Sequence, residues 1–159
     1  MHRKDEIDAT SNSIHNNSVT ILTGSSGIGK TRLAVEACRV QEHKGYKVYC
    51  IRSNGNLLYE DIKFYIDNPG KYMLFLDDAN MVVSLDNVLQ TLLTRPAEYE
   101  IKILITVRDY ARERVIATVS KYTAPKVIEI GKLTDEEIKD VLKTDLGILN
   151  PDYLEKYQR

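Results

Sequence analysis

The sequence predicts a three-layer α/β fold, with helices on both faces of a mainly parallel, five-stranded sheet. Strand-like and helix-like segments alternate five times along the chain, which is typical of parallel strands joined by helical crossovers. The run at residues 72–77 is almost continuously apolar, as expected of a strand buried on both faces. A glycine-rich turn between the first strand and the first helix is the third observation that favours this class.

The strands are predicted from short apolar runs that end at turn residues. These runs cover residues 18–23, 47–51, 72–77, 101–107 and 126–130. The helices are predicted from apolar side chains at three- and four-residue spacing, which mark one buried face. They fall at residues 30–44, 58–66, 85–92 and around 115–119, with another after the capping box of Thr134 and Glu137 and a short last helix from Asn150.

Composition limits the classes of protein to which the chain can belong. At 159 residues it is long enough for one domain with a sizeable core, and its net charge of -1 gives no overall attraction to nucleic acid or to a membrane. No apolar stretch approaches the length of a membrane span, and residues 1–5 lack the apolar core of a signal peptide. Cys38 and Cys50 each fall in an apolar segment and are expected to be buried free thiols. These features predict a cytoplasmic protein without a membrane partner.

The turn after the first strand reads Gly24-Ser25-Ser26-Gly27-Ile28-Gly29-Lys30-Thr31. This is a complete G-x-x-x-x-G-K-T phosphate-binding loop, and it lies between a strand and a helix as such a site requires. Its glycines allow backbone N–H groups to point inward, and the helix N-terminus adds partial positive charge. We expect Lys30 to reach the β- and γ-phosphates and the Thr31 hydroxyl to ligate Mg²⁺. The loop therefore predicts a site for a nucleoside triphosphate.

Two acidic residues, Asp77 and Asp78, follow the third strand at the edge where parallel sheets bind ligands. Asp77 is predicted to hold Mg²⁺, usually through water. Asp78 is predicted to orient or deprotonate the water that attacks the γ-phosphate. The structural alternative for both residues is a polar strand end or a helix cap.

A cation, Arg108, ends the fourth strand at the same edge. We expect it to contact the γ-phosphate and to stabilise charge in the transition state. The alternatives are a pair with Asp109 or a solvated helix start. Arg112 and Arg114 on the next helix are predicted to be solvated, with an arginine finger towards a neighbouring subunit as the other interpretation.

The identity of the nucleotide is indicated by two absences. No guanine-reading N-K-x-D motif follows the fourth or fifth strand, which favours ATP over GTP. No lid-like cluster of arginines surrounds an acceptor pocket, which argues against a small-molecule kinase.

With these motifs, the chain resembles the STAND class of P-loop ATPases, the signal-transduction ATPases that include the NACHT and NB-ARC modules. The resemblance spans nearly the whole chain and is closest to bacterial STAND ATPases of anti-phage defence. It rests on the phosphate loop with the adjoining Arg32-Leu33-Ala34, on Leu74-Phe75-Leu76-Asp77-Asp78-Ala79-Asn80, and on Ile103-Leu104-Ile105-Thr106-Val107-Arg108-Asp109.

The resemblance implies a sheet order of 5-1-4-3-2, which would place Arg108 between the phosphate loop and the aspartate pair. It assigns ATP or ADP to the loop and Arg32, with Arg3 near the adenine, and Mg²⁺ to Thr31 and Asp77. It also implies an ATPase core at residues 1–132 and the start of a helical lid at residues 133–159. Family members continue into a G-x-P lid motif, a winged helix and sensor repeats, so we expect this chain to be a truncated module.

The predicted function is a slowly hydrolysing ATP switch within a larger parent chain, whose nucleotide state controls conformation and homo-oligomerisation. The trigger that it senses is not predicted. Two alternatives stay open. One is an AAA+-like motor acting on nucleic acid, which the near-neutral charge disfavours. The other is a scaffold that binds ATP with little hydrolysis, because Asp78 is shorter than a glutamate.

Overall fold

Five parallel strands form the central sheet of the structure, a computed structural model that describes residues 3–52 and 58–144. The strand order is β2-β3-β4-β1-β5, which confirms the predicted order read from the other edge. The strands are β1 (Val19–Gly24), β2 (Lys47–Ile51), β3 (Gly70–Leu76), β4 (Tyr99–Arg108) and β5 (Lys126–Glu129).

Helices connect successive strands and cover the sheet. Two short 3₁₀ turns, Ala79–Met81 and Asp109–Ala111, directly follow β3 and β4. The helices are α1 (Lys4–Asn16), α2 (Lys30–His43), α3 (Leu58–Tyr65), α4 (Leu85–Leu93), α5 (Arg112–Ser120) and α6 (Asp135–Thr144).

The sheet separates two hydrophobic cores, which confirms the three-layer architecture. Alternate side chains of β3 point to opposite faces, as the two-residue period of a strand requires. Leu74 and Leu76 join the core under α3, α4 and α5, whereas Met73 and Phe75 join the core under α1 and α2. All four are at most 2% exposed, so β3 is buried on both faces as its apolar run predicts.

Among the α-helices and strands of the described residues, α1 is the one that the sequence analysis does not predict. Its buried face includes Thr10, Ser11 and Ser13 between the apolar Ile7 and Ile14. Small polar residues therefore occupy positions where the periodicity argument looks for large apolar ones. Ser13 and Thr20 of β1 share a buried hydrogen bond of 2.8 Å, which allows this polar face to pack against the sheet.

The two cysteines differ in a way that the sequence did not predict. Cys38 on α2 is buried, and burial raises the pKa of its thiol to about 12. Cys50 is exposed, so the prediction that it is buried is wrong. The physical reason is topological, because β2 is an edge strand of the sheet and lacks a neighbour on one side.

The capping box predicted at the start of α6 is present. The Glu137 N–H donates to Thr134 Oγ1 at 3.2 Å, and the Thr134 N–H donates to the Glu137 carboxylate at 2.7 Å. The predicted last helix from Asn150 and residues 145–159 of the predicted lid lie outside the described residues, and the domain division at residue 132 stays a prediction. Within residues 3–52 and 58–144, no helix is both long and apolar enough to cross a bilayer.

Candidate nucleotide-binding site

The phosphate loop joins β1 to α2 with a backbone that only glycine adopts readily. Gly27 and Gly29 have φ angles of 76° and 97°, in the left-handed region. At Gly24, with φ at 148°, a Cβ would lie 2.9 Å from the carbonyl oxygen of Ile130. The loop therefore needs glycine at these positions for two reasons, conformation and close packing against the residue after β5.

Lys30, the first residue of α2, is folded into this loop. Its Nζ donates hydrogen bonds to the carbonyl oxygens of Gly24 at 2.7 Å and Ser25 at 2.8 Å. Burial lowers the pKa of Lys30, and the nearby Asp109 and Asp78 carboxylates oppose that shift. The ammonium group is thereby held inside the loop, where a phosphate chain would lie.

Asp77, directly after β3, accepts hydrogen bonds from one side chain of α2 and one of β4. The hydroxyls of Thr31 and Thr106 each donate to Asp77 Oδ1 at 2.9 Å. This meeting follows from the sheet order, because β4 lies between β3 and β1. A hydroxyl and a carboxylate are the hard oxygen donors that Mg²⁺ prefers, so Thr31 and Asp77 fit the predicted metal site.

Asp78 and Arg108 form an ion pair next to this group. Arg108 Nη2 lies 3.2 Å from Asp78 Oδ2, and both side chains are partly exposed. Asp78 has a φ of 53°, an uncommon conformation for a residue with a side chain, and its N–H donates to Thr106 Oγ1 at 2.9 Å. Of the alternatives left open for Arg108, the structure shows a pair, but with Asp78 instead of Asp109. Asp109 instead accepts a long hydrogen bond of 3.5 Å from the Ser25 hydroxyl.

These groups surround one cleft at the carboxyl edge of the sheet. Its volume is about 500 Å³, in the range of small-molecule sites. The cleft is lined by Ser26, Gly27, Gly29, Lys30, Thr31, Arg32, Asp78, Thr106 and Arg108.

Arg3 and Arg112 lie elsewhere. The Arg3 guanidinium donates to the carbonyl oxygen of Gly131 at 2.9 Å and pairs with Glu6, so it joins α1 to the segment after β5. Its proposed place near an adenine stays a prediction. Arg112 Nη1, at the start of α5, lies 3.7 Å from Oε2 of Glu129 at the end of β5, and this ion pair is exposed to solvent.

Two residues at the cleft edge escaped the sequence analysis, Thr106 and Arg52. Thr106 is 1% exposed and contacts both aspartates through its hydroxyl. Its signal in the sequence is a polar residue within the otherwise apolar run at residues 103–107. Arg52, directly after β2, lies 3.4 Å from Asp77, and its signal is a charged residue at the carboxyl end of a predicted strand.

The sheet order and the phosphate loop define an α/β fold of the P-loop nucleoside triphosphatase class. The chain belongs to the novel STAND NTPase 3 family, whose sequence profile matches residues 2–147. A search of curated proteins gave no significant match.

Similar solved structures are ATPases of the AAA+ type. A closed-state reconstruction of Hsp104 with ATPγS and FITC casein superposes with a TM-score of 0.68 at 18% identity, over 96% of this chain and 30% of that one. The RuvB Holliday junction branch migration motor of Thermotoga maritima gives 0.65 at 14% identity, over 93% and 52%. A DNA polymerase III gamma subunit-related protein of the same organism gives 0.62 at 17% identity, over 89% and 51%. The chain thus spans between 30% and about half of the length of these structures, and the likeness concerns the fold.

Proposed function

We propose that this chain is the ATP-binding and ATP-hydrolysing switch module of a larger signalling protein. The observation that carries the proposal is the meeting of Lys30, Thr31, Asp77, Asp78 and Arg108 around one cleft. These residues come from three different strand ends, and each has the chemistry that a triphosphate requires.

Binding would use the loop backbone and Lys30 for the β- and γ-phosphates of ATP or ADP. Thr31 and Asp77 would hold Mg²⁺, which neutralises phosphate charge and keeps the phosphate oxygens in place. The two hydroxyls on Asp77 Oδ1 hold that carboxylate in one orientation. The protein contributes positioning and electrostatics, which dominate phosphoryl transfer.

Hydrolysis would depend on Asp78. Its carboxylate lies at the cleft edge, where it would orient the attacking water and accept a proton as the bond between the γ-phosphorus and the leaving oxygen breaks. ADP and phosphate are the products. Because the Asp78 side chain is one methylene shorter than glutamate, we expect slow turnover.

Switching would depend on Arg108. Its guanidinium forms an ion pair with Asp78, and a γ-phosphate in the cleft would compete with Asp78 for the guanidinium. ATP would therefore draw Arg108 away and release Asp78, whereas ADP would leave the pair intact. A ligand shifts a conformational equilibrium only through such differential contacts.

The wider setting is also part of the proposal. We place the module in a cytoplasmic parent chain of bacterial anti-phage defence, with a homo-oligomer in the ATP-bound form. The family membership and the short span against the similar structures support a multidomain parent.

Calorimetry tests nucleotide binding directly. The chain is expected to bind Mg–ATP and Mg–ADP, and Lys30→Ala is expected to lose at least ten-fold in affinity because it removes a charged phosphate contact, on the order of 1.5 kcal/mol or more. Lys44→Ala, at an exposed lysine beyond α2, is the matched control and should bind like the wild type. If the wild type shows no magnesium-dependent binding of ATP, the proposal is overturned.

A second pair of variants tests the switch. Arg108→Ala is expected to weaken ATP binding about ten-fold with little effect on ADP, since only ATP presents a γ-phosphate. Arg112→Ala removes the same charge on α5 and should change neither affinity. Equal losses for ATP and ADP would contradict a sensing role for Arg108.

Phosphate-release rates separate the switch from its alternatives. Slow turnover that falls on Asp78→Asn substitution and is unaffected by DNA supports the switch. Equal rates for wild type and Asp78→Asn favour the scaffold, and stimulation by DNA favours the nucleic-acid motor.

A further inference from the structure

Asp77, directly after β3, is contacted by three side chains that lie in or after neighbouring strands. Its Oδ1 accepts hydrogen bonds from Thr31, which follows β1, and from Thr106 at the end of β4. Its Oδ2 lies 3.4 Å from Nη2 of Arg52, which follows β2. Because β2 and β4 flank β3 and β1 lies beyond β4, a group from each of these three strands or the segments after them reaches this carboxylate.

The contacts on the two carboxylate oxygens are chemically different. Oδ1 accepts two hydroxyl donors, which occupy both of its lone pairs. Among the residues that the structure describes, Oδ2 has one charged neighbour, Arg52, which leaves a lone pair on this oxygen. Any further ligand of Asp77, such as a metal-bound water, would therefore approach on the Oδ2 side, next to the guanidinium.

Arg52 is also the more easily displaced of these partners. Its side chain is 72% exposed, whereas that of Asp77 is 14% exposed. An ion pair with a solvated guanidinium contributes little free energy, because water screens the charges and the long side chain loses entropy when held. The Thr106 hydroxyl, by contrast, is buried and fixed on both sides.

We propose that Arg52 is a displaceable counter-ion of Asp77. In the absence of nucleotide, it opposes the binding of a divalent cation at this carboxylate. A divalent ion next to Asp77 would meet the repulsion of a guanidinium at the same carboxylate. The phosphates of a nucleotide offset that repulsion, so the metal enters this site together with the nucleotide. The inference rests on the proposed function, because it concerns the metal side of the same cleft.

Mn²⁺ alone, in the absence of nucleotide, is the probe that isolates this effect. Electron paramagnetic resonance counts free Mn²⁺ and thereby gives its affinity for the full chain. Arg52→Ala is expected to bind Mn²⁺ about three- to ten-fold more tightly than the wild type, the range for one exposed charge close to a divalent ion in water. Arg52→Lys keeps the positive charge on a shorter and more mobile side chain. Its affinity for Mn²⁺ should therefore lie between those of the wild type and Arg52→Ala.

The controls separate local from general charge effects. Arg39→Ala removes one exposed guanidinium from α2, where it pairs with Glu36, and should bind Mn²⁺ like the wild type. In the double variant that combines Arg52→Ala with Asp77→Asn, the gain in Mn²⁺ affinity should be absent. The second substitution removes the carboxylate for which the guanidinium and Mn²⁺ compete.

The outcomes for Arg52 and for the proposed function are distinguishable. Equal, weaker or undetectable Mn²⁺ binding in Arg52→Ala, or an equal gain in Arg39→Ala, would overturn the role of Arg52. If Arg52→Ala binds Mn²⁺ more tightly than the wild type but the chain does not bind ATP, the role of Arg52 as a counter-ion stands. The same result overturns the proposed ATP switch.

Discussion

At Gly24 the absence of one methyl group decides how closely the phosphate loop packs against the end of the sheet. A Cβ there would lie 2.9 Å from the carbonyl oxygen of Ile130, which is backbone and cannot rotate away. The φ of 148° adds conformational strain for any other residue. The loop glycines of a phosphate site are usually explained by access for the phosphate, but here the first one is also required by packing within the chain.

Gly24→Ala is therefore expected to destabilise the fold by about 2 kcal/mol or more, from overpacking and backbone strain together. Denaturant unfolding followed by circular dichroism measures the loss. Gly131→Ala is the matched control, since a Cβ at Gly131 would meet nothing within 4 Å and should leave stability nearly unchanged. A loss for Gly24→Ala no larger than that of Gly131→Ala would contradict the packing argument.

Among the elements, α6 shows how far a local motif defines a boundary. Thr134 and Glu137 exchange side-chain and backbone hydrogen bonds, which satisfies two N–H groups that the start of a helix leaves open. Both residues are neighbours in sequence, so the motif forms without help from distant packing. This explains why the start of α6 was predicted, whereas α1, whose buried face includes small polar residues, was not.

Removing the Thr134 hydroxyl is expected to loosen the first turn of α6. Thr134→Ala should cost about 1 kcal/mol of local stability, seen as faster amide hydrogen exchange over residues 135–139. Thr91→Ala is the control, because the Thr91 hydroxyl bonds back to Asn87 within α4 and alanine has the higher helix propensity. Unchanged exchange in α6 of Thr134→Ala would show that the cap does not stabilise this helix.

For the whole molecule, a nucleotide site at one edge of the sheet couples ligand binding to global stability. The cleft takes side chains from α2 and from the ends of β3 and β4, and these strands carry both hydrophobic cores. A ligand that binds only the folded chain stabilises it by mass action.

Mg–ADP at a hundred times its dissociation constant is expected to stabilise the fold by about 2.7 kcal/mol. For a domain of this size that corresponds to a rise in melting temperature of about 5 to 10 °C. Differential scanning fluorimetry measures the shift. Lys30→Ala, with an affinity at least ten-fold lower, should show about half of the shift or less at the same concentration. A similar rise in both proteins would mean that ADP binds outside the phosphate loop.

The sequence by itself determined the fold class, the strand pattern and the phosphate loop. It could do so because alternating apolar segments and an eight-residue motif are local features, read without knowing what packs against them. The sheet order came from the family resemblance and was confirmed.

Only the tertiary structure decided which side chains meet at the cleft. Arg108 pairs with Asp78 and not with its sequence neighbour Asp109, and Thr106 and Arg52 both reach Asp77. These contacts join residues about 25 to 30 positions apart, so they depend on how β2, β3 and β4 lie beside one another. The pattern of residues along the sequence does not show which strands become neighbours. Parallel strands are joined by helical crossovers of variable length, so strands that are adjacent in the sheet need not be adjacent in sequence.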